Sequence, residues 1–258
     1  MKRWRTFRRS SKIIREHVGL RRFLKLADPY LGKEIDRIQP GASDAVLIIA
    51  PHADDEVLGC GGAFALHRQR GDLVHVVYTT DSGRPPFGKQ YDSEQIERRK
   101  QEAAKGLQIL GGATSENMGL SDGNAEISDA AIEKLAQILK ERKPTRIYVP
   151  WALDNHRDHR AAFQMLARAL DKGACADSFV WQYEVWTPLL PNRYVPIASV
   201  IEIKEKAMRA HASQLAERDY VSSSVGLAHF RGLQGNVNEP AEAYFALPAG
   251  KLKEFQSL

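Results

Sequence analysis

From residue 46 onward, short β-branched runs alternate with longer helical patterns, and this alternation narrows the fold more than anything else in the chain. Strands are predicted over Val46 to Ala50, Leu73 to Thr80, about Glu116 to Leu120, Arg146 to Pro150, Phe179 to Trp186 and Ala198 to Ile203. Between and after them, helices are predicted over Val57 to Arg70, Ser93 to Leu110, Ser128 (as N-cap) to Arg142, Asp158 to Leu170 and Lys204 to Ala216. Parallel strands need long crossovers, so a βαβα order implies an α/β fold with a mostly parallel sheet and helices on both faces. No repeat, low-complexity tract or linker splits the region. The expected division is a basic arm over 1–43 and one domain over 44–258.

The net charge of +5 belongs to the arm. Residues 1–25 hold ten of the 37 Lys and Arg and one acid, Glu16, which leaves 27 basic against 31 acidic residues, a net of −4, in the rest. That balance gives the domain no reason to bind nucleic acid. In the arm, Trp4, Phe7, Ile14 and Val18 fall on one helical face with arginines opposite. Such a helix packs on the domain or on a second subunit, leaving a homo-oligomer open, or lies on an anionic membrane surface. An Arg- and Ser-rich start also resembles an organelle transit peptide. Two cysteines, Cys60 and Cys175, make no disulfide framework and are expected as buried, inert thiols. With no run of about 20 apolar residues and no secretory signal, the expected location is cytoplasmic, peripheral to a membrane if the arm binds one.

Open parallel sheets bind ligands beyond the carboxyl ends of their strands. Two segments fall there: "PHADDE" (51–56) after the first strand and "DNHRDHR" (154–160) after the Arg146 to Pro150 strand. A divalent cation would relieve the repulsion within Asp54, Asp55 and Glu56. His52 and Asp55, three apart in a turn entering a helix, can reach one ion, with His159 as the third ligand from the facing loop. Two imidazoles and a carboxylate leave Zn²⁺ an open position for water, the catalytic pattern, and such a metal lowers the pKa of its bound water to about 7. Asp54 is then the expected general base. His156, one turn from His159, is expected to stabilise the oxyanion as imidazolium and to protonate the leaving nitrogen, with Asp158 orienting its ring. Glu56 is assigned to anchoring the turn.

Plainer readings exist for each piece. A His-x-x-His pair at a helix start serves surface or packing roles, and acids before a helix favour its dipole. "GCGG" followed by Asp81 faintly matches a dinucleotide fingerprint, but the acids fill the space a pyrophosphate would need. Gly59, Gly61 and Gly62 are expected instead to let the helix approach the sheet. His52-x-Asp54 plus a distant histidine also spells the 2-His-1-carboxylate set of non-haem iron oxygenases, but those use β jelly rolls and this chain alternates strands with helices; Fe²⁺ stays open only as an alternative metal.

Together "PHADDEVLGCGG", "RKQEAAKGLQILG" (99–111), "GLSDG" (119–123), "NHRDH" (155–159), "KEKAMRAHASQ" (204–214) and "AEAYF" (241–245) resemble the PIG-L or LmbE-like family of zinc-dependent N-acetylglucosaminyl deacetylases. The resemblance covers about residues 44–246; its first and fourth motifs are the specific ones. It implies a Rossmann-like three-layer sandwich that removes acetyl from an N-acetylated amino sugar. It also implies His52, Asp55 and His159 as zinc ligands, Asp54 as base, His156 as acid and Arg99 as a substrate contact. From spacing alone, Arg99 equally suits a surface salt bridge with Glu102. Ala53 and Arg157 stand where relatives usually have proline. The sugar's attachment stays open: free, lipid-linked or part of a glycoconjugate. So do deacetylation of a small thiol precursor or antibiotic intermediate, and non-catalytic sugar or lipid binding.

Among lesser features, Phe179, Trp181 and Tyr183 share one strand face, for sugar stacking or, more commonly, core packing. His211 reads as packing first and cleft lining second.

Overall fold

The computed structural model describes residues 18–37, 44–83, 93–173 and 175–256. Trp4, Phe7 and Ile14 of the arm lie outside these, while Val18 is exposed. Helix α1 (18–27) buries Phe23 and Ala27, and the Phe23 ring meets Trp151, Phe245 and Phe255 at centroid distances of 5.6, 4.9 and 5.8 Å. Residues 18–27 thus pack on the body of the protein. After them come β1 (Glu34–Ile35), β2 (Ala45–Ala50), α2 (Asp55–Arg70), β3 (Leu73–Thr80), α3 (Ser93–Ile109) and β4 (Thr114–Leu120). The chain continues through α4 (Asp129–Arg142), β5 (Arg146–Pro150), α5 (Arg157–Leu170), β6 (Phe179–Tyr183) and β7 (Arg193–Pro196). Last are α6 (Ile201–Arg209), α7 (Ala212–Leu215), α8 (Tyr220–Gln234) and β8 (Ala241–Pro248).

The strands form one sheet in the order β1-β7-β8-β6-β5-β2-β3-β4, parallel except where β8 runs antiparallel to β6 and β7. β2 alternates its side chains between two cores: Leu47 and Ile49 join α1, α4 and α5 on one face, Val46, Ile48 and Ala50 join α2, α3 and α6 on the other. Both faces are covered, which is why AVLIIA is apolar throughout. The expected layered α/β fold is present. Its switch point lies between neighbouring strands β2 and β5, since α2 leaves β2 on one face and α5 leaves β5 on the other.

The downstream third differs from expectation. Ala198 to Ile203 is no strand but a 3-10 turn (Ala198–Val200) running into α6. Its β-branched residues imitate a strand, yet burial of Val200, Lys204, Ala207 and Met208 follows a helical period. The helix expected to Ala216 breaks at Ala210 and His211, β6 ends at Tyr183, and the sheet gains β7 and β8. Trp181 and Tyr183 are core residues, whereas Phe179 is 45% exposed. Among the described residues no helix is long and apolar enough to cross a membrane.

Candidate active site

The turn after β2 is held in an unusual shape. Asp54 has φ 157° and ψ −23°, which an L-residue adopts only under constraint. The constraint comes from Glu56: its Oε2 accepts the Asp54 N–H at 3.1 Å while Oε1 accepts the Tyr78 hydroxyl at 2.9 Å. Full burial first, then the charges of Asp54 and Asp55, push Glu56 up to about 8 against the pull of the Tyr78 hydrogen bond. The third acid therefore anchors the turn.

Beneath the turn, α2 is interrupted at Cys60 (φ −145°, ψ 22°). Each side of the break has its own cap. Lys204 Nζ donates to the Leu58 carbonyl at 2.9 Å, closing the first segment, while Glu242 accepts the Gly62 and Ala63 N–H groups at 2.7 and 2.8 Å, opening the second. The two caps pair with each other at 2.7 Å, and Tyr244 donates to Glu242 at 2.6 Å. Both charges are about 95% buried. Glycines make the approach feasible: a Cβ on Gly59 would stand 2.1 Å from Tyr183 Cδ2, and one on Gly62 2.5 Å from Ile197 Cγ2.

Above the turn the expected metal ligands converge. Asp55 Oδ2 lies 3.1 Å from His52 Nδ1 and 3.2 Å from His159 Nε2. Ligands of a tetrahedral ion bound at about 2.0–2.1 Å stand about 3.3 Å from one another, so these separations suit one shared cation. Each imidazole is backed at its far nitrogen by carboxylate: His52 Nε2 has Asp122 Oδ1 at 3.2 Å and Asp158 Oδ2 at 3.3 Å, and His159 Nδ1 has Asp154 Oδ2 at 3.4 Å. Carboxylates in that place fix ring orientation and raise ligand basicity. His159 is wholly buried, and neither nitrogen has an aligned hydrogen-bond partner despite those short separations. Orphaned nitrogens of this kind fit ligands better than packing. Burial alone would lower both histidines, but the acids overcome it; His159 rises to about 9 and His52 well above its usual value. Asp55, Asp122, Asp154 and Asp158 thus surround the two rings, a set of acids suited to a cation.

Around this centre stand the remaining expected residues. Asp54 is raised to about 6 by burial, with Arg99 opposing and Asp55 reinforcing. Arg99 is buried rather than on a helix surface: NH2 lies 3.3 Å from Asp54 Oδ2 and from the Ala53 carbonyl, and NH1 lies 4.0 Å from Asp122 Oδ2. Glu102, its suggested surface partner, instead accepts from Ser213. The His156 ring stands 4.8 Å from His52 and 5.0 Å from His159, centroid to centroid, and one donor atom of each of the three lies within 4.8 Å of the others.

Two expectations change. The Asp158 carboxylate does not orient His156; it accepts Gly123 N–H at 2.6 Å and Ala125 N–H at 3.1 Å and faces His52, because its place in the first turn of α5 points it across the switch point. Only the Asp158 backbone N–H reaches His156, at Nδ1, 3.3 Å. An accepting Nδ1 puts the ring proton on Nε2. The imidazolium form is also disfavoured, since burial first, then His52 and His159, lower the His156 pKa. Asp122 and Asp154 received no role from sequence. Asp122 lay unread within "GLSDG", and Asp154 opens "DNHRDHR"; Asp154 also accepts the His156 N–H at 2.7 Å. Arg157 turns aside to Asn124 at 2.6 Å. Larger grooves open at the amino ends of β2 to β5, away from all these residues.

Residues 47–170 match the PIG-L family, described as GlcNAc-PI de-N-acetylase. Diacetylchitobiose deacetylase of Thermococcus kodakarensis is 26% identical over 194 residues, 67% of this chain and 70% of that protein. The structure of N,N'-diacetylchitobiose deacetylase from Pyrococcus horikoshii, bound to an inhibitor, superposes with TM-score 0.66 at 25% identity, covering 79% of this chain and 84% of that one. The 4-carboxy-2-hydroxymuconate hydratase GalB of Pseudomonas putida KT2440 shares the fold alone, with TM-score 0.68, 22% identity and coverages of 78% and 95%.

Proposed function

We propose that this chain, which belongs to the PIG-L family, hydrolyses the N-acetyl amide of an N-acetylglucosamine-type sugar with a divalent cation, Zn²⁺ before Fe²⁺, held by His52, Asp55 and His159. Because a hydratase has the same fold, the chemistry is argued from the site. The observation that carries the reading is the double engagement of both imidazoles: near nitrogens beside Asp55 Oδ2, far nitrogens against carboxylates.

When bound, the cation polarises the acetamide carbonyl and makes water a better nucleophile. Asp54, held by Glu56 and bordered by Arg99, takes the attacking water's proton as oxygen bonds to the carbonyl carbon. His156, neutral with its proton on Nε2, donates to the developing oxyanion. Asp54 returns the proton to nitrogen as the C–N bond breaks, and acetate and a free amine leave. The sugar class follows from relatives that act on diacetylchitobiose and from one named a probable N-acetyl-α-D-glucosaminyl L-malate deacetylase in Bacillus anthracis.

The test is acetate release from a panel of N-acetylglucosaminides followed by mass spectrometry. In Asp54→Asn the rate should fall about 10²–10⁴-fold with metal content unchanged, whereas His159→Ala should lose the metal. Full activity in the first variant, or full metal content in the second, would overturn the assignments.

The arm supports a second, separate role at an anionic membrane surface. Ten Lys and Arg within residues 1–25 supply the attraction, at about 1 kcal/mol per charge near such a surface. Deleting residues 1–17, which spares the buried Phe23, should abolish binding to phosphatidylserine vesicles without changing hydrolysis of a soluble sugar. Vesicle binding by the truncated protein would end this role.

A further inference from the structure

Among the described tryptophans Trp186 is the exposed one, at 40%, and the loop that carries it is tied down on two sides. Its backbone N–H donates to Asp154 Oδ2 at 3.1 Å, and the next residue, Thr187, accepts the Asn155 N–H at 2.8 Å. Both bonds tie the loop after β6 to the loop that carries His156. From inside, the buried pair Glu184 and Arg231 grips the same loop at Leu189, through N–H at 2.8 Å and carbonyl at 3.0 Å. Tyr220, at the start of α8, meets the Trp186 ring at 6.0 Å and 79°, and Arg218 lies over that ring at 5.4 Å. Tyr220 in turn lines a small cavity with Asp54 and His211. The ring pair therefore bridges the two sides of the catalytic centre, from the His156 loop to Asp54.

A large aromatic ring left 40% exposed, carried on a loop tied down by four hydrogen bonds and flanked by Tyr220 and Arg218, is preorganised for contact rather than for packing. Resting on the deacetylase reading above, we propose that Trp186, backed by Tyr220, is a stacking subsite for a second pyranose ring, the one next to the acetamido sugar at Asp54. The substrate class is accordingly a glycan of two or more units. Phe179, Trp181 and Tyr183, the aromatic stripe noticed in the sequence, take no part, since two are core and the third opens β6 at the opposite end of the strand.

The experiment compares kcat/KM for N,N'-diacetylchitobiose and N-acetylglucosamine in the full chain. Trp186→Ala should cut the disaccharide-to-monosaccharide ratio about five- to tenfold, and Trp186→Phe should keep most of it. An unchanged ratio, with either both rates intact or both falling together, overturns the subsite. If wild-type protein releases acetate from neither sugar, the deacetylase reading itself fails, and binding still decides the subsite. In a Trp4→Phe background, the disaccharide should then change tryptophan emission through Trp186, because Trp151 and Trp181 are buried. Emission that does not respond, or responds equally in Trp186→Phe, refutes it.

Discussion

Asp154 does three things at once: it backs His159, receives the His156 N–H and receives the Trp186 N–H. Replacing it with Asn keeps the shape but removes the charge behind His159, an imidazole proposed to hold the metal. Such changes cost about 10–100-fold in metal affinity, so a chelator competition on Asp154→Asn should show that loss while Asp54→Asn shows none. Unaltered affinity in Asp154→Asn would mean that the carboxylate is not felt by the metal site. The gathering of His52, Asp55 and His159 was legible from spacing because two neighbouring strand ends each carried imidazole beside acid. Asp122 and Asp154 were not, since an acid in a turn is common and only its neighbours in space give it meaning. Asp158 shows the same limit from the other side: its position was read well, but the direction of its side chain was not.

At the scale of elements, the break in α2 is where sequence reading had least purchase. "GCGG" pointed to close packing, and Gly59 and Gly62 do pack closely, but nothing local showed that a lysine and a glutamate from distant elements would cap the two segments. Removing one member of a buried pair costs about 3–5 kcal/mol, against roughly 0–1 for a surface pair. Glu242→Gln and Lys204→Met should each lower Tm by on the order of 10 °C, whereas Lys251→Met, which removes an exposed pair with Glu254, should leave it within about 2 °C. Equal effects would show that burial of the pair confers nothing. β2 to β5 and the helices between them were legible because short apolar runs bounded by turn signals alternate with longer stretches of helical period. The misreading at Ala198 to Ile203 came from β-branched content outweighing a helical burial period.

Across the whole molecule, buried histidines outside the His52, Asp55 and His159 cluster shape the response to acid. His211, 3% exposed, is lowered to about 4 by burial first and by Arg99 second. Its folded value lies below the ordinary 6.5, so its contribution to stability is complete above pH 6.5 and is lost as pH falls toward 4. Relative to His211→Gln, wild-type protein should lose about 2 kcal/mol between pH 7.5 and pH 5, measured as the difference in urea unfolding free energy. A constant difference would show that His211 titrates normally in the fold.

The caps on α2 carry a consequence for how the protein is made. Gly62 and Glu242 are 180 positions apart, and Glu242 sits on β8, which enters the sheet between strands already laid down. A nascent chain still waiting for that strand leaves the Gly62 and Ala63 amides without their acceptor. The second segment of α2 therefore gains its cap late in synthesis, once β8 has left the ribosome.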